Sequence, residues 1–115
     1  MDVYQIAQRA TDLDRASAFY TRLLGEPPIA TFEPPGLVFF RVGTLRLLLD
    51  RNALRALLYL QVDDVRVRIE ELRNQGVRIE NEPHVIFSHE DDRLGQARTD
   101  EWQAFIRDSE DNLVG

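Results

Sequence analysis

Hydrophobic and polar positions along the chain fall into two similar halves. Val3–Ala10 alternates between two faces, as a strand with unlike sides does, and Ala10–Leu24 then repeats apolar residues at helical spacing, with Leu13, Ala16, Tyr20, Leu23 and Leu24 on one side. Thr11 or Asp12 is placed to cap that helix, Asp12 and Asp14 sit in its positive first turn, and Gly25 is the expected left-handed stop. Pro27, Pro28, Pro34 and Pro35 bracket a short extended piece at Ile29–Phe32. Leu37–Val42 and Leu45–Asp50 follow as strands joined at Gly43-Thr44. Arg51–Ala56 reads as a connector.

The second half repeats the order. Leu57–Val62 is the expected opening strand, Asp63 or Asp64 caps a helix that ends at Gly76, and Val77–Phe87 is a long strand interrupted near Pro83. Ser88–Asp100 has no periodicity and reads as a loop, either a lid or a hairpin tip. Glu101–Arg107 is a strand, Asp108–Asn112 a tight turn, and Leu113–Gly115 a stunted last strand. Adding 52 to Leu13, Ser17 and Tyr20 gives Val65, Ile69 and Leu72, so one helical face recurs at a constant offset. A repeat of about 50 residues implies two copies of a βαβββ unit in an α+β fold, each too small to bury a core of its own. The expected organisation is one domain over 1–115, with module one at about 1–50, a linker at 51–56 and module two at about 57–115.

Composition narrows the function. A net charge of −6 is the wrong sign for a nucleic-acid binder. All 14 cationic side chains are arginine, which reflects coding composition more than mechanism. With no cysteine, disulfides, thiolate nucleophiles and Cys-based zinc sites are excluded. No apolar run reaches the ~20 residues of a membrane span, and the N-terminus lacks the pattern of a signal peptide, so a cytoplasmic protein without membrane partners is expected.

Four segments, TDLDRASAFYTRLLG at 11–25, VGTLRLLL at 42–49, VDDVRVRIEELRNQGV at 62–77 and AFIRDSEDNLVG at 104–115, together resemble the vicinal oxygen chelate superfamily, which includes glyoxalase I, methylmalonyl-CoA epimerase, extradiol dioxygenases and bleomycin-resistance proteins. The last segment departs from the family pattern, with Ser109 and Asp111 where Pro and Gly are usual. The resemblance implies paired βαβββ modules whose sheets curve around a shared cleft, and a homodimer. In the family's enzymes a divalent metal is held there by one ligand from each of four strands. Those positions fall on Gln5, on Leu48 (or Leu47 if the register slips), on Leu57 and on Gly115. Only Gln5 offers a donor, so neither metal nor other cofactor is expected.

The remaining candidates carry alternatives. His84 is either an acid-base group or lone ligand, or a structural histidine bonded to backbone near a bulge. Arg46 shares a strand face with Leu48 and Asp50, and is either an anion anchor or a solvated edge residue. His89-Glu90-Asp91-Asp92 has metal-donor types, but consecutive loop residues cannot all converge, and the run is read as facing water. Aromatic residues, including Phe39, Phe40, Tyr59, Trp102 and Phe105, serve packing or ligand stacking. Two functions follow. One is a metal-free module binding a small, partly apolar molecule through Gln5, Arg46, Leu48, Leu57, Tyr59, His84 and Trp102. The other is a lyase, isomerase or dioxygenase-like enzyme with a non-standard site: His84, Gln5 and a loop carboxylate around a divalent metal, or a metal-free pair of His84 with Asp50 or a loop carboxylate. A cleft filled by its own side chains is a third outcome.

Overall fold

A computed structural model describes all 115 residues. The element order is β1 (Gln5–Arg9), α1 (Leu13–Leu24), β2 (Ala30–Phe32), β3 (Leu37–Val42), β4 (Leu45–Asp50), α2 (Val65–Asn74), β5 (Ile79–Ser88), β6 (Asp100–Arg107) and β7 (Leu113–Val114). The fold is α+β with two mixed or antiparallel sheets, ordered β1-β4-β3-β2 and β5-β6-β7. The chain forms two compact units, one of Met1–Leu57 with Asp108–Asn112, the other of Leu58–Arg107 with Leu113–Gly115. The connector 51–56 therefore belongs to the first unit, as does the tight turn near the C-terminus.

In the first unit Asp12 caps α1 by accepting the Arg15 N–H (3.0 Å), and Gly25 closes it at φ 78°. β1 runs parallel to β4, with Gln5 opposite Arg46 and Ala7 opposite Leu48, while β3 is antiparallel to β4, with Phe39 opposite Leu48. Paired residues on neighbouring strands point to the same side, so this register divides the sheet cleanly. One face carries Val38, Phe40, Leu47 and Leu49, which are buried with Leu13, Ala16 and Tyr20 of α1. The polar exception on that face is Gln8, fully buried, whose amide donates to Ala56 O and accepts from Ala56 N–H, both at 2.8 Å. A buried amide without partners is costly, and this one is satisfied as a strand neighbour would satisfy it. The opposite face carries no helix.

The second unit differs from the expected repeat at its start. Leu57–Val62 is not a strand: Leu58 alone forms a parallel bridge to Val114, supported by Gly115 N–H to Leu58 O and Leu60 N–H to Gly115 O, each 2.8 Å. A ladder is only as long as its shorter partner, and β7 has two residues. Asp64 caps α2 through the Arg66 and Val67 N–H groups, and Gly76 follows its end at φ 84°. β5 pairs antiparallel with β6 through three register shifts, one of them between Asn81 and His84 around Pro83. Ile69 and Leu72 of α2 are buried with Ala104 and Ile106 of β6.

Candidate functional site

The uncovered face of the first sheet gathers three of the expected site residues. Gln5, Arg46 and Leu48 stand on it together, since Gln5 pairs with Arg46 and Ala7 with Leu48. Leu47, the alternative register, is buried on the α1 side, and Leu48 is the one of the two on the open face. Arg46 lies on a central strand rather than an edge. It donates through Nε (3.0 Å) and Nη2 (2.6 Å) to Gln5 Oε1, and its guanidinium stacks over Tyr4 at 4.6 Å and Phe39 at 5.2 Å. Beside it an apolar row crosses all four strands in register: Ala7, Leu48, Phe39 and Ala30. Phe32 packs its ring edge-on to Phe39 at 6.0 Å and extends the row. Tyr4 and Phe39 carry this arrangement as much as the expected residues do. Phe39 was legible from strand pairing, whereas Tyr4, one residue before β1, had no such signal.

The donor set does not fit the divalent ion of the family's enzymes. The Gln5 carbonyl oxygen is occupied by a guanidinium whose positive charge opposes a cation at the same atom. Leu48 and Leu57 have no donor, and Leu57 is exposed outside any strand. At Gly115 a Cβ would stand 2.7 Å from Tyr59 Cδ1 and 3.0 Å from Phe105 Cε1, so an aromatic cluster fills the space of any side chain there. Within neither unit do three His, Asp or Glu side chains converge as ligands.

In the second unit, alternation along β6 separates the remaining candidates. His84 pairs with Gln103, and Tyr59 meets Phe105 edge-on at 5.9 Å, on the side away from α2. Trp102 instead lies on the α2 side with Ala104 and Ile106, its ring beneath the Arg66 guanidinium at 4.6 Å. Its grouping with Tyr59 and His84 is thus corrected by strand parity, and Phe105 takes its place. His84 is exposed, and its Nδ1 bonds Glu82 O at 2.9 Å next to a register shift, as a backbone-held histidine does. A carbonyl only accepts, so the ring donates from Nδ1, and Nε2 stays outside this contact.

The acidic loop is not uniformly solvated. His89 is buried, bonds Glu101 Oε1 through Nε2 at 3.0 Å, and packs its ring against Phe87 at 4.5 Å. Its backbone N–H and C=O pair with Thr99 and Arg98, both at 2.7 Å, extending the β5–β6 ladder into the loop.

A second polar cluster, within the first unit, is architectural. Glu110, 2% exposed at its side chain, accepts from Arg15 Nε (2.8 Å) and Nη2 (3.1 Å), Thr11 Oγ1 (3.0 Å), Asp12 N–H (2.9 Å) and Ser109 Oγ (3.0 Å). Burial favours the protonated acid, but these donors outweigh it and hold the carboxyl down at about 2. Tyr20 donates to Asp108 Oδ2 at 2.7 Å, and burial, then the neighbouring carboxylate, pushes its hydroxyl pKa far above the usual value.

The first unit runs β1-α1-β2-β3-β4 with a helix behind one face of its sheet, and the family is shown directly by sequence. Residues 3–92 match the Glyoxalase/Bleomycin resistance protein/Dioxygenase superfamily, and the chain belongs to it. Among solved structures, it is similar to lactoylglutathione lyase from Agrobacterium tumefaciens at 25% identity, covering 98% of this chain and 90% of that one with a TM-score of 0.70. The trypanothione-dependent glyoxalase I of Leishmania major matches at 21% identity over 99% and 84% of the two chains, with a TM-score of 0.66. An integron cassette protein from Vibrio cholerae matches at 18% identity over 99% and 91%, with a TM-score of 0.71. No curated protein sequence matches. No helix of the chain is long and apolar enough to cross a membrane.

Proposed function

We propose that the protein binds a small, partly apolar molecule on the open face of its first sheet, without a divalent metal. The observation that carries this reading is the in-register row Ala7–Leu48–Phe39–Ala30, left uncovered beside a Gln5 amide already committed to Arg46. An apolar surface with a few fixed polar groups is the usual make-up of a small-molecule site. Ligand-observed NMR with a panel of short aliphatic and aromatic amides and alcohols tests it. Binding is expected for the wild type and is weakened roughly tenfold or more by Leu48→Glu, which sets a charge in the row. Equal binding by both proteins, or none by either, rejects the proposal.

A lyase, isomerase or dioxygenase-like enzyme using His84 is the second reading, favoured by the free Nε2 that the Glu82 contact leaves. Stoichiometric Ni, Zn, Mn or Fe in protein purified without added metal would support it over the first. Self-association belongs to the same proposal: β5 is an edge strand whose Val85, Ile86 and Phe87 are exposed, and such edges are usually covered. Light scattering at micromolar concentration is expected to give twice the 13.3 kDa chain mass.

A further inference from the structure

Arg46 is held unlike most arginines of this chain. Arg15, Arg51, Arg68 and Arg73 each meet a carboxylate, whereas Arg46 is fixed by a neutral amide and two aromatic rings. Its charge is therefore not neutralised by its partners. A guanidinium has five N–H groups in a planar fork. Nε and Nη2 form one side of that fork, and both are directed at Gln5 Oε1. The end of the fork, one N–H from each terminal nitrogen, remains parallel and unspent, which is the geometry that receives a carboxylate with two hydrogen bonds. Tyr4 and Phe39 restrict the plane of the group, so little side-chain freedom remains to be lost when an anion docks.

We propose that the end of the Arg46 guanidinium left free by Gln5 is a carboxylate anchor, and that the ligand is an amphipathic monocarboxylate whose apolar body lies along Leu48 and Phe39. This rests on the small-molecule reading above and adds to it the ligand's charge and orientation. Gln5 is then a positioning residue: its carbonyl sets which edge of the guanidinium faces the ligand. A neutral amide of the same shape has one acceptor oxygen and no charge, so it satisfies only half of the fork.

The test uses matched pairs, each a carboxylate and its primary amide, running from butyrate through 4-phenylbutyrate to 1-naphthoate, titrated calorimetrically into the full-length wild type. At least one carboxylate is expected to bind roughly tenfold or more tighter than its amide, as charge-assisted hydrogen bonds allow. Arg46→Met, which keeps the apolar stem, is expected to bind the two members equally. Arg46→Lys is expected to recover only part of the preference, because an ammonium lacks the planar fork. Carboxylate and amide binding the wild type alike overturns the anchor while leaving the small-molecule reading in place. Binding of no member of any pair overturns both. The wild-type comparison needs no variant, so the outcome does not depend on how well Arg46→Met folds.

Discussion

Glu110 and Arg15 lie 95 residues apart in sequence and meet through two hydrogen bonds, 2.8 Å and 3.1 Å long, with the carboxylate almost wholly buried. The pair joins the start of α1 to the turn after β6, and that turn is thereby part of the first unit. Because the native carboxyl titrates near 2 against an ordinary 4.5, the ionised form stabilises the fold above the ordinary value. That contribution, about 3 kcal/mol in full, fades as pH falls through the native value. Urea unfolding at pH 6 and pH 3 is expected to show a loss of about 2 kcal/mol that Glu110→Gln largely abolishes. An equal loss in the variant would refute the assignment.

Tyr20→Phe removes the donor to Asp108 while keeping the ring in the core. The Asp108 carboxylate then loses one of its buried hydrogen bonds, so a cost of about 1–3 kcal/mol in urea unfolding is expected. The near-native fold should persist, since the Phe40 and Phe19 ring contacts remain.

Gly115→Glu places a carboxylate beside Tyr59, and no metal binding is expected. Its Cβ would overlap the Tyr59 ring and crowd Phe105. Overpacking there is expected to cost about 1–3 kcal/mol, and calorimetric titration with Ni²⁺ or Zn²⁺ should stay flat. Tight stoichiometric binding would refute this expectation.

Gly95 packs on His89, where an added Cβ would come within 2.9 Å of Cε1 and Nε2. Gly95→Ala is expected to displace the ring from its Glu101 contact and loosen the loop. Hydrogen exchange at the His89 and Arg98 amides should quicken roughly tenfold, while amides in β3 and β4 stay unchanged.

Much of this architecture was legible because it is local. Asp12 and Gly25 bound α1 through short-range capping and a left-handed residue, and the strand limits at Leu37–Val42 and Leu45–Asp50 follow from alternation and a glycine turn. Leu48 facing away from α1 is likewise a consequence of period-two parity. Trp102 escaped the same reasoning because parity separates two faces without saying which of them the helix covers. The Leu57–Val62 segment has a strand's composition but lacks a partner long enough to make it one.

The sequence by itself determined the βαβββ order of the first half, the helix-then-strands order of the second, and the sites of its caps and turns. Only tertiary structure decided that Arg46 is held by Gln5, that Tyr59 fills the space at Gly115, and that His89 is buried in a loop of acids. Local propensities depend on neighbours along the chain, whereas these contacts depend on which distant strands and loops come together, and no short-range pattern encodes that.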